Sequence, residues 1–362
     1  MNTAHPNFSF MPTESVIKTL RGYTAHAEKK GQLTADQLDT IYENKWFKLF
    51  VPREFDGLEL SLPEGVRLEE ELAYTDGSLG WTVTLCAGAN LFSGYIDPTL
   101  ARRIFTDPQV CLGGSGRPSG IATIKDGGYE VNGIWHYATG APHNTHFTAN
   151  CVIEQDGKPV RDSEGNPLIK SFFFDQKDVR IVADWNTVGL KATASHSFEV
   201  KNVWVEQRHA FLILPEHARQ DGPVYRYPFI PFAQTTLAVN TLGMARHFIA
   251  CCEDLAISHD QIGKTNEILE GLLQQGVERI TIAKRSFYEA LDASWDIFLQ
   301  NGQLTETILQ RITETSRALV SVSQGVVVSL YPHCGIIAAD ESSTINRIWR
   351  DIFTASQHSL LR

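Results

Sequence analysis

A chain of 362 residues with a net charge of −10, 43% hydrophobic and 20% charged, has the composition of a globular protein with large cores and two or three domains. The acidic balance argues against nucleic acid or an anionic membrane as partner, and no apolar run approaches the length that spans a bilayer. Six cysteines without CxxC spacing read as free thiols. The opening MNTAHPNFSF lacks the basic head and apolar core of a signal peptide, so a cytoplasmic location is expected.

Residues 1–105 read as a helical domain. Thr13 and Glu14 open SVIKTLRGYTAHAEKKG, with Gly31 as its stop, and Thr34 caps ADQLDTIYENKWF. VPREFDGLELS interrupts the pattern at Pro52 and Gly57 before helix resumes through PEGVRLEEELAYTD. The run SLGWTVTLCAGANLFSGYI is apolar on most sides and predicts a buried helix, with strand as the alternative that its β-branched residues leave open.

Between residues 106 and 210 the periodicity is two. A Gly/Ser/Pro loop, GGSGRPSG, leads into the hairpin IATI-KDGG-YEVNGIW, and a second small-residue loop follows at Ala138-Thr139-Gly140. FTANCVIEQ, LIKSFFFD, VRIVADWN and HSFEVKNVWVE continue the short strands and predict an antiparallel sandwich or barrel. Gly114, Gly116 and Gly120 do not make a dinucleotide fingerprint. The spacing is one residue too long, Pro118 lies inside the turn, and a strand follows instead of a helix. Residues 211–234, rich in Pro and aromatics, read as a linker passing over the surface. From 235 to 362 the period returns to 3.6, with stripes such as Ile280, Ala283, Phe287, Leu291, Trp295 and Phe298, and predicts a four-helix bundle.

In order along the chain, VPREFDGLE, EEELAYTDGSLGW, SGRPSG, the G-x-W-x-Y-x-T-G of residues 133–140, VGLKATASHSFEVKNVWV and WRDIFTASQH resemble the acyl-CoA dehydrogenase superfamily over nearly the whole chain. Within it they are most similar to the two-component flavin-dependent monooxygenases. The resemblance implies an α+β fold of helical domain, β-domain and C-terminal four-helix bundle, and a homotetramer or dimer of dimers. It also implies a flavin (FMN or FAD, supplied reduced by a separate flavin reductase) and a small aromatic or similar substrate.

Family dehydrogenases need a glutamate base at one of two places. Here DIFTASQHSLLR holds none, and Ala233 stands ahead of Leu242-Gly243. That disfavours α,β-dehydrogenation. His358 of A-S-Q-H takes the catalytic place in the resemblance, while its plain alternative is a solvated histidine at a helix C-terminus. Thr139 replaces a serine next to the flavin and is the second catalytic candidate. Ser115, Trp135, Thr139, Gly140, Thr193 and Ser195 are the cofactor-binding candidates. Trp135 also suits sheet packing, and Thr193 and Ser195 lie in KATASH, where Ala192 and Ala194 replace family glycines and are expected to alter the turn. His143 and His146 have H-x-x-H spacing without a third ligand and read as surface histidines, with no metal expected. An acyl-CoA dehydrogenase with a displaced base and a noncatalytic flavin- or ligand-binding relative are the alternatives.

Overall fold

The computed structural model describes residues 10–261 and 266–362. Residues 10–105 hold helices α1 (Glu14–Lys30), α2 (Ala35–Glu43), α3 (Leu62–Thr75), α4 (Gly77–Asn90) and α5 (Pro98–Phe105). Local chemistry sets their ends. Thr34 with Gln37 and Ser61 with Glu64 form capping boxes, and the Asp76 carboxylate accepts from the Leu79 N–H at 2.7 Å to start α4. The run whose period left helix and strand open is helix α4, buried on nearly every side; it ends at Asn90 and gives way to a 3-10 turn at Leu91–Gly94.

A sheet follows: β1 (Leu112–Lys125), β2 (Gly128–Ala138), β3 (His146–Gln155), β4 (Lys158–Pro159), β5 (Ile169–Asp175), β6 (Arg180–Val182), β7 (His196–Glu206) and β8 (Ala210–Phe211). The order is β6-β7-β2-β1-β3-β5-β8, with β4 on β3. Pairing is antiparallel except between β1 and β3, which run parallel. The predicted hairpin turns at Asp126 and Gly127, both with positive φ, the geometry that matches strand twist. Two local expectations change. GGSGRPSG lies inside β1, where pairing with β3 is interrupted between Ser115 and Gly120, and VRIVADWN forms strand only over Arg180–Val182.

The last third holds α6 (Phe229–Gln261), α7 (Glu267–Asn301), α8 (Glu306–Leu330) and α9 (Thr344–Ala355). The expected surface linker is corrected. Within 211–234, Val224, Tyr225, Tyr227 and Phe232 are buried, and α6 already begins at Phe229. The Tyr225 hydroxyl donates to Phe50 O at 2.7 Å and Tyr95 donates to Tyr225 O at 2.5 Å. Aromatic rings of this size are driven under neighbouring elements by the area they remove from water.

Helices α3, α4 and α6 approach at glycines. A Cβ on Gly80 would lie 2.5 Å from the Ala73 backbone, and one on Gly243 would lie 2.5 Å from Glu70 O. One hydrophobic cluster therefore joins the first helices to the bundle, the sheet has its own core around Trp135 and Phe198, and Phe105, Leu112 and Phe211 belong to a third cluster between them. Among the described residues, no helix is long and apolar enough to cross a membrane.

Candidate active site

The end of β2 and the start of β7 meet beside α4. Register between these strands slips between Trp135 and Ala138, and Tyr137 takes a φ of 69°. This bulge turns the Tyr137 ring outward, 68% exposed and edge-on to Trp185 at 6.2 Å. Thr139 then turns inward. Gly140, at a φ of 74°, donates its N–H to Thr193 O at 2.8 Å.

Three buried hydroxyls run from this turn. Thr139 Oγ1 is 2.9 Å from Ser195 Oγ, Ser195 Oγ is 2.8 Å from Thr193 Oγ1, and the Thr193 hydroxyl donates to Leu190 O at 2.8 Å. Each hydroxyl has one proton, so this last bond sets the direction of the others. Thr193 accepts from Ser195, Ser195 accepts from Thr139, and Thr139 is left with unused acceptor capacity. The fold thus gathers Thr139, Gly140, Thr193 and Ser195 from two distant stretches of chain.

The turn carrying Thr193 is flanked by left-handed residues, Leu190 at a φ of 52° and Ala194 at 43°. Ala194 does adopt the left-handed conformation that a glycine would take more cheaply. Helix α9 holds it there. Leu190 N–H donates to Asp351 Oδ1 at 2.5 Å, Gly189 N–H to Thr354 Oγ1 at 3.1 Å, and the Arg350 guanidinium to Val188 O at 2.7 Å. A Cβ on Gly189 would meet Arg350 O at 2.1 Å, so only glycine fits. Burial, reinforced by the nearby Asp76 charge, pushes the Asp351 carboxyl up to about 8, so it is largely neutral at pH 7.

The remaining candidates are dispersed. Trp135 is fully buried in the sheet core, stacked on Phe198 at 5.2 Å with Nε1 donating to Asn150 O at 3.0 Å. Ser115 lies half-buried on β1 at the interrupted pairing. His358 lies beyond α9, which ends at Ala355, and is not helical. It is half-buried, its Nδ1 accepts from Leu360 N–H at 3.3 Å, and its ring stands edge-on to Trp81 at 6.1 Å. Burial holds its pKa below the usual histidine range, so the ring is neutral at pH 7. His358 and Thr139 make no contact with each other among the described residues, but both reach α4, at Trp81 and at Cys86.

Behind Thr139, the Asn144 amide donates to Thr139 O at 2.9 Å, and the Cys111 thiol lies 3.2 Å from Asn144 Oδ1. Burial pushes the Cys86 thiol up, but the neighbouring Cys111 and His143 outweigh it and bring it down to about 6. His143 and His146 do not act as a pair. His146 Nε2 lies 3.1 Å from Asp175, whereas His143 faces Cys86 and Cys111. Sequence reading missed Tyr137, Trp185, Asp351 and these two cysteines. Of these, only the aromatic Tyr137 beside the small-residue loop carried a local signal.

Residues 235–362 match the family model described as acyl-CoA dehydrogenase, C-terminal domain. An indole-3-acetate monooxygenase of Pseudomonas putida is 24% identical, covering 92% of this chain and 85% of the relative. A flavin-dependent monooxygenase, oxygenase subunit HsaA, of Rhodococcus jostii is 23% identical, covering 96% and 92%. The structure of XiaF from a Streptomyces species, in complex with FADH2 and glycerol, superposes with a TM-score of 0.86 at 21% identity, covering 96% of this chain and 90% of that one. The chain thus carries an acyl-CoA dehydrogenase C-terminal domain within an acyl-CoA dehydrogenase-like fold, and the expected resemblance to the two-component flavin monooxygenases holds.

Proposed function

We propose that this protein is the oxygenase component of a two-component flavin-dependent monooxygenase, which takes flavin already reduced by a separate reductase and oxidises a small aromatic substrate. When bound, the flavin supplies the electrons and the oxygen-activating chemistry. The observation that carries the reading is the polarity of the hydroxyl relay. Thr139 Oγ1 gives its proton to Ser195 and offers only an acceptor, which matches a ring N–H of reduced flavin and not the bare ring nitrogen of the oxidised form. Tyr137 and Trp185 offer an aromatic edge beside it. In this reading His358, neutral because partial burial lowers its pKa, accepts a phenolic proton. The XiaF neighbour is in complex with FADH2 and the TdsC neighbour with FMN, so the reading takes a flavin of either kind.

The test is a titration of oxidised and reduced FAD and FMN against the wild type, Thr139→Val and Thr139→Ser. The wild type binds the reduced form more tightly. Thr139→Val loses about tenfold of that preference, one hydrogen bond's worth, and Thr139→Ser keeps it. Equal affinity for both redox states would overturn the reading.

Dehydrogenation has little support. Ala233 offers no base, Glu69 is sealed between helices with its carboxyl pushed well up by burial, and Asp351 is engaged by Leu190.

A further inference from the structure

We propose that Cys86, Cys111 and His143 bind one borderline-soft divalent cation of the zinc class, directly behind the Thr139–Gly140 turn. This site is separate from the flavin reading and does not depend on it. One sulfur or ring nitrogen from each residue lies within 4.8 Å of the others. Donors bound to a single tetrahedral zinc stand about 3.5–3.8 Å apart, so closing the site takes shifts below about 1 Å. Two thiolates and an imidazole are the donor set such an ion prefers over magnesium or calcium.

As thiols, Cys86 and Cys111 both donate toward Asn144 Oδ1, so the sulfurs and that oxygen already converge on one point. Cys86 and Cys111 are fully buried, and His143 Nε2 is buried without a hydrogen-bond partner. Two thiolates and a dication sum to zero charge, which a closed site tolerates, while the orphaned nitrogen gains a bond. Asn144 Oδ1, 3.2 Å from Cys111 Sγ and 3.8 Å from Cys86 Sγ, supplies the fourth donor. Its amide nitrogen is anchored on Thr139 O, so its oxygen is aimed at the sulfurs, the outer-shell orientation that metal sites use. The His143 ring is clamped by stacking on Phe47 at 5.6 Å. Gly140 and Gly113 admit these ligands, since a Cβ would lie 2.6 Å from His143 Nε2 at the first and 2.0 Å from Asn144 Nδ2 at the second. The donors come from α4, from the residue before β1, and from the turn between β2 and β3. An ion here ties the loop that presents Thr139 to the helical body.

Full-length protein, stripped with a chelator, is titrated with Zn²⁺ against a chromophoric competitor and separately with Co²⁺. We expect one equivalent of each, with a thiolate-to-cobalt charge-transfer band. Cys86→Ala and His143→Gln remove the band and weaken zinc about 100-fold, and Asn144→Ala weakens it about 10-fold or more. Cys251→Ala, which alters a cysteine outside the cluster, changes nothing. Metal-free circular dichroism selects the variants that fold, and Cys111→Ala serves where one does not. The proposal falls if the wild type takes up no stoichiometric ion, if uptake survives both Cys86→Ala and His143→Gln, or if Cys86 and Cys111 are recovered as a disulfide with no metal.

Discussion

Ala194 holds a left-handed φ of 43° that costs an alanine about 1 kcal/mol relative to glycine. Replacing it with glycine relieves that strain but loosens the unfolded chain, and the strain term is the larger. Ala194→Gly is therefore expected to raise stability by up to about 1 kcal/mol, measured by urea unfolding. The wild-type alanine keeps the turn stiff beneath Ser195 and Thr193, so the same variant weakens flavin binding while stabilising the fold. At His358, removing the imidazole with His358→Ala is expected to lower turnover of a phenolic substrate by about 100-fold and to leave reduced-flavin affinity unchanged. A loss of flavin affinity instead would place the histidine in cofactor binding. Neither behaviour is legible in the sequence. ASQH names the histidine through resemblance but not the Trp81 ring that buries it, and KATASH suggests that its alanines avoid the conformation one of them adopts.

Elements place these residues through a few close contacts. The 189–195 loop hangs from α9 by Asp351, whose folded carboxyl titrates near 8 while the unfolded one titrates near the ordinary aspartate value. With the folded pKa raised, the folded state binds the extra proton, so this contribution is present at low pH and is lost as pH rises from about 4 through 8. Asp351→Asn keeps an acceptor for Leu190 and removes the titration. Thermal melts from pH 6 to 9 are expected to fall for the wild type and to stay flatter for the variant. At the α3–α4–α6 crossing, Gly243→Ala puts a methyl 2.5 Å from Glu70 O and is expected to destabilise by about 1–3 kcal/mol in denaturant titration. The elements were mostly legible, since period 3.6, period 2 and Asp-Gly turns mark local structure directly. Residues 211–234 were not, because prolines and aromatics look alike in a surface strap and in a buried one. The difference lies in Phe50 and Gly94, which receive Tyr225 from far away in sequence.

Across the whole molecule, a few buried charges tie distant elements together. Glu70 of α3 is held below its usual pKa, since Arg246 of α6 and Lys284 of α7, each at 2.5 Å, together with Tyr288, outweigh its burial. His247 on α6 is lowered to about 3 by burial and by the charges of Arg21 and Arg347, which belong to opposite ends of the chain. A histidine depressed in the fold takes up a proton more readily when unfolded. Stability therefore falls as pH drops below about 6.5 toward 3, at up to about 1.4 kcal/mol per pH unit for this one group. Acid melts of His247→Gln are expected to be shallower over that window.

The shared cluster of the first helices and the bundle also dictates the order in which a growing polypeptide completes itself. The sheet owns a core made within one continuous stretch, whereas α3 and α4 find their partner surface only once α6 has been synthesised. Newly made amino-terminal helices spend the intervening translation with their greasy sides uncovered, a burden that falls on ribosome-associated chaperones.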